Sequence, residues 1–104
     1  MAQENPNPSD ILMALQKDLR KKRVLLVDRH AAARDALRAM LSALEITSVV
    51  GAGSSVEVLR QVGATNFDII LSDYHLDDGR DGQQLLEELR QQHLIPLGTV
   101  FMIV

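Results

Sequence analysis

Four short, mainly apolar stretches, the first three closed by an acidic, glycine or serine residue, constrain this chain more than any other feature. The first is Val24–Val27, which stops at Asp28. The second is residues 46–50, ahead of Gly51, and the third is residues 67–71, ahead of Ser72 and Asp73. The fourth, residues 99–104, follows Pro96 and Gly98. All four read as strands, and the unbroken run Val24–Val27 has the pattern of a central strand buried on both faces. Between the runs the apolar period changes. Ala33, Leu37, Met40, Leu41 and Leu44 fall on one helical face, and Leu85, Leu86 and Leu89 on another. Ser54-Ser55-Val56-Glu57 has the form of a capping box opening a helix that Gly63 terminates. Gly79 to Gly82 punctuates a loop. The resulting order is β-α-β-α-β-α-β with short connections. Right-handed crossovers then give an α/β fold with a doubly wound parallel sheet.

Length supports a single domain, since 104 residues match the usual size of one. Residues 1–22 form an N-terminal extension: a polar start with Pro6 and Pro8, then a short helix capped by Ser9 with Ile11, Leu12, Leu15 and Leu19 at helical spacing. The basic stretch 20–23 closes that helix, and the domain proper occupies residues 23–104. Net charge is −3, and Lys17, Lys21 and Lys22 all precede Arg23. No basic stripe follows, so nucleic-acid binding by this segment is not expected. There is no cysteine, which excludes disulfide and thiol chemistry. No run reaches the length of about 18 apolar residues that a membrane span needs, and residues 1–22 lack a secretory leader's apolar centre. The expected location is cytoplasmic.

In open parallel sheets, function gathers at the carboxyl ends of the central strands. Two of these ends carry carboxylates, Asp28 and Asp73. Strand order 2-1-3-4 makes the first and third strands neighbours, so the carboxylates should converge. A hard divalent cation resolves their repulsion. Mg²⁺ suits the place because it takes few protein oxygens and keeps positions open for water and phosphate. A carboxylate beside such an ion can attack a phosphoryl donor.

Arg23 onward resembles a response-regulator receiver, a flavodoxin-like fold. The resemblance is carried by Val24-Leu25-Leu26-Val27-Asp28, Phe67-Asp68-Ile69-Ile70-Leu71-Ser72-Asp73, Asp81-Gly82 and Leu85-Leu86. It covers about four fifths of the chain, but only four of the family's five strands. The resemblance implies that Asp73 is the phosphoacceptor and that Asp28 helps to hold Mg²⁺. His75 falls where the family offers a main-chain carbonyl to the metal. A histidine kinase or phosphotransfer protein would be the donor, and the role is signalling rather than enzymatic turnover. Two departures stand out. Arg29 occupies the place of the family's second acidic residue, and weakened Mg²⁺ binding is the expected result. The loop 74–82 is one residue longer than the commonest form and lacks its proline. The family's threonine or serine after strand four and the lysine ending strand five would fall past Val104, so the expectation is an incomplete domain, without its fifth strand and last helices, that does not switch normally.

Other readings are weaker. A pseudo-receiver, the same fold acting as a phosphorylation-independent interaction module, draws on Arg29; a flavodoxin-like ligand-binding domain has less behind it. A calcium loop over 73–84 fails on spacing, with Gln84 where glutamate is required. Gly51-Ala52-Gly53 lacks the third glycine of a dinucleotide loop and follows the wrong strand. Asp68 reads as a turn residue. His30, His75 and His93 are scattered and read as surface or loop residues rather than side-chain metal ligands. Self-association, as a dimer or larger, is expected through the open edge of the fourth strand.

Overall fold

The computed structural model describes residues 8–9, 20–76 and 79–104. The helix expected after Ser9 lies almost wholly outside them. Within residues 23–104, seven described elements alternate: β1 (Val24–Val27), α1 (Ala31–Ala43), β2 (Val49–Ala52), α2 (Ser55–Ala64), β3 (Ile69–Ser72), α3 (Gly82–Gln91) and β4 (Val100–Ile103). The strands form one parallel sheet in the order β2-β1-β3-β4, as the apolar runs predict. β1 lies inside the sheet, with Val24 opposite both Val49 and Ile69. All four of its residues are buried, because helices cover both faces there.

Side chains alternate across the sheet. Leu25, Val27 and Ile70 point to one face, where they meet Val58 and Val62 of α2 and Leu85 and Leu89 of α3. Val24 and Leu26 point to the other, against Ile46 and the half-buried Leu37 and Leu41 of α1. The α1 stripe is narrower than its spacing predicts: Met40 and Leu44 are 65% and 48% exposed.

Several boundaries move from their predicted places. β2 begins at Val49, not at residue 46. Glu45 takes a positive φ of 65°, the Ile46 amide donates back to the Leu41 carbonyl at 2.9 Å, and Ile46 is buried as the plug under the end of α1. An apolar run alone does not separate such a plug from a strand residue. Gly51 lies within β2 instead of ending it. β3 begins at Ile69, since the Phe67 carbonyl is taken by the Thr99 hydroxyl at 2.7 Å, and the same bond starts β4 at Val100. Gly63 does not stop α2, which runs to Ala64 and is capped by Thr65. At the other end Ser54 accepts from the Glu57 amide at 3.3 Å, but the Glu57 carboxylate reaches Gly53 N–H at 3.0 Å, one residue before the N-cap. The full capping box is on α3, where Asp81 and Gln84 exchange bonds of 2.8 and 3.0 Å.

Candidate functional site

The carboxylates at the sheet edge are positioned by strand hydrogen bonds. The Asp28 amide donates to the Ala52 carbonyl at 3.1 Å, and the Asp73 amide to the Val27 carbonyl at 2.8 Å. Both residues therefore leave the sheet at the same end and from adjacent strands. Asp28 Oδ1 accepts the His30 amide at 2.8 Å and faces His30 Nδ1 at 3.1 Å. The Arg34 guanidinium donates to the Asp28 carbonyl at 2.5 Å. Asp73 Oδ1 accepts the Tyr74 amide at 2.9 Å, and the buried Ser72 hydroxyl donates to the Asp73 carbonyl at 2.9 Å. Gly82, the first residue of α3, packs close: a Cβ there would lie 3.0 Å from the Asp73 carbonyl oxygen. Only glycine allows this approach without displacing the loop.

One carboxylate oxygen each from Asp28 and Asp73, and one ring nitrogen of His30, lie within 4.8 Å of one another. The convergence of Asp28 and Asp73 follows from strand order. His30 is exposed, in keeping with its sequence reading as a surface or loop residue; the structure adds that it stands at the N-cap of α1, two residues past Asp28, with its ring turned back to that carboxylate. The His-two-after-Asp spacing at a strand end was the available signal. His75 forms an isolated antiparallel bridge with Asp81, and its ring meets Tyr74 edge-on at 5.0 Å. The loop is drawn back on itself by bonds from Gly82 N–H to the Tyr74 carbonyl and from Leu76 N–H to the Arg80 carbonyl. Asp68 serves structure, as expected, by accepting the Arg23 amide at 2.9 Å.

Arg29 is exposed and, among the described residues, is in no ion pair. Together with Tyr74, His75, Arg80 and Gln84 it lines an open cleft of about 580 Å³, whose lining includes neither Asp28 nor Asp73. Arg80 is itself paired with Glu88. The donor set suits a divalent cation: two oxygens converge, and no lysine or arginine among the described residues pairs with either carboxylate.

With that geometry in view, the model of the response regulator receiver domain matches residues 24–104. The chain belongs to the response-regulator receiver family. No curated protein matches it in sequence. Among solved structures it is similar to the receiver domain of the histidine kinase CKI1 from Arabidopsis thaliana, complexed with Mg²⁺ and BeF₃⁻. That match has 25% identity and a TM-score of 0.69, covering 85% of this chain and 68% of the other. It is also similar to the signal receiver domain of an HD domain-containing protein from Pseudomonas fluorescens Pf-5, at 27% identity and TM-score 0.68, covering 81% and 58%. The MaeR response regulator bound to beryllium trifluoride shares the fold at 13% identity and TM-score 0.70, covering 80% of this chain. The receiver spans 66% of the MaeR chain's length. No helix among the described residues is long and apolar enough to cross a membrane.

Proposed function

We propose that this receiver domain, residues 23–104, accepts a phosphoryl group on Asp73 from a histidine kinase or phosphotransfer protein in a Mg²⁺-dependent, cytoplasmic signalling step, without enzymatic turnover of its own. The convergence of Asp28 and Asp73 at the end of adjacent strands carries the proposal. Asp73 Oδ1 is engaged by the Tyr74 amide, which leaves Oδ2 to attack. It attacks the phosphorus of the donor's phosphohistidine; the P–N bond breaks, its electron pair stays on the imidazole, and an acyl phosphate remains on Asp73. Asp28 and Asp73, with the His75 main-chain carbonyl, would hold Mg²⁺, which neutralises charge on the carboxylates and the arriving phosphoryl oxygens. Arg34 and Ser72 fix the backbone from which the two carboxylates project.

Incubation with a small acyl-phosphate donor and Mg²⁺ tests this. A mass gain of one phosphoryl group is expected, and it should be absent in Asp73→Asn. No gain, or a gain that survives the substitution, sinks the proposal.

Arg29 supports a second reading, a pseudo-receiver that binds partners without phosphorylation. It places +1 where the family has −1, beside the cleft. Mg²⁺ binding at low millimolar concentration would count against it. Either way, β4 offers an edge for self-association: Val100, Met102 and Val104 are 52%, 49% and 68% exposed.

A further inference from the structure

The donor set at the sheet edge is not all oxygen. Besides Asp28 and Asp73 it contains a ring nitrogen of His30, within the same 4.8 Å. Ligands around one ion at about 2.1 Å sit roughly 3.0–3.4 Å apart, somewhat closer than the 4.8 Å within which these three atoms lie. The His30 side chain is 62% exposed and makes no capping bond to α1. Its one polar ring contact is Nδ1 to Asp28 Oδ1 at 3.1 Å. The ring can therefore turn without breaking anything in the core, and one imidazole nitrogen keeps a lone pair in the neutral form.

A structural role competes with this. The Asp28 carboxylate accepting the His30 amide is an ordinary Asx turn ahead of a helix, and a turn alone asks for no particular side chain at residue 30. An amide contact would be served by any non-proline residue. The ring's return to the carboxylate pair is the part the turn leaves unexplained.

The metal preference follows from ligand chemistry. Mg²⁺ favours oxygen ligands and holds its water tightly, so it depends on carboxylate charge, which Arg29 reduces at this site. Imidazole suits the later first-row divalent ions, whose affinity rises toward copper in the Irving–Williams order. We propose that Asp28, Asp73 and His30 form a mixed oxygen–nitrogen site selective for a first-row transition ion of the Co²⁺, Ni²⁺ or Zn²⁺ class over Mg²⁺. This rests on the receiver reading of Asp28 and Asp73 as metal ligands and changes which ion they serve.

Calorimetric titration of the full chain with CoCl₂ and, separately, MgCl₂ tests it, comparing the unaltered protein with His30→Ala and Asp73→Asn. His30→Ala should weaken Co²⁺ binding about tenfold or more and leave Mg²⁺ binding within about twofold; Asp73→Asn should weaken both. A His30→Ala variant that binds Co²⁺ unchanged, or loses both ions by the same factor, overturns the inference, the second outcome pointing to the turn. Mg²⁺ binding with no response at His30 overturns it while leaving the receiver reading intact. Binding of neither ion overturns both it and the Mg²⁺-dependent step. Should His30→Ala not fold, ring proton resonances of the unaltered chain under ZnCl₂ decide: His30 must shift first, ahead of His75 and His93, or the inference fails.

Discussion

The two faces of the sheet are covered very differently. On one, α2 and α3 press Val58, Val62, Leu85 and Leu89 onto Leu25, Val27 and Ile70, and Phe67, Leu76 and Ile95 seal the ends. On the other, among the described residues, α1 contributes no fully buried residue, and the buried cluster is Val24, Leu26 and Ile46. The register carries this difference across to β4. Val100 and Met102 pair with Ile69 and Leu71 and so share the α1 face, where they are about half exposed. Phe101 points the other way and packs into the larger core. Among the described residues burial is thus concentrated on the α2–α3 face, and the α1 face carries half-exposed apolar side chains. The functional edge lies where the two meet, at the ends of β1 and β3.

Substitutions can break or sharpen this contrast. Leu85→Ala, on the heavily packed face, should cost about 2–5 kcal/mol by denaturant unfolding. Leu37→Ala, half-buried on the inner side of α1, should cost less than half as much; equal losses would refute the asymmetry. Next comes Gly82→Ala. A Cβ there meets the Asp73 carbonyl oxygen at 3.0 Å, so a loss of about 1–3 kcal/mol is expected. A fall in the rate of Asp73 phosphorylation should accompany it, because the same loop carries both. Asp81→Ala removes the side-chain half of the α3 capping box and should cost about 1 kcal/mol, read as a lower unfolding midpoint. The smallest effect on stability belongs to Met102→Lys, within about 0.5 kcal/mol on an exposed position. That variant should nonetheless reduce self-association measured by light scattering, if the α1 face and the β4 edge are the contact. Unchanged light scattering would move any association elsewhere.

How much of this was legible in the sequence varies by element. Central strands read well: Val24–Val27 has only one way to bury four consecutive apolar side chains, between two covered faces. Asp28 and Asp73 were legible as a pair, because strand order alone makes them neighbours. The ends of elements read less well. Ile46 looks like the start of a strand and is the plug of a helix. Thr99 looks like part of β4, yet its hydroxyl ties off the Phe67 carbonyl. In each case the residue type fits both roles, and a hydrogen bond to a distant or preceding carbonyl selects between them. Asp81 sat within the stretch 79–82 that reads as loop, and its reciprocal bonds with Gln84 make it the N-cap of α3.

By itself, then, the sequence determined the alternation of strands and helices, the parallel sheet and the two carboxylates at its edge. Those follow from local periodicity and from chain connectivity, which are one-dimensional properties. The tertiary structure decided three things. His30 turns back to Asp28 because the chain bends sharply between β1 and α1. Arg29 comes to line the cleft with Tyr74 and Arg80, two loops that are far apart in sequence. Met40, Leu44, Val100 and Met102 stay exposed while chemically similar residues are buried. Apolar spacing says which side chains share a face; only the packed fold says whether anything covers it.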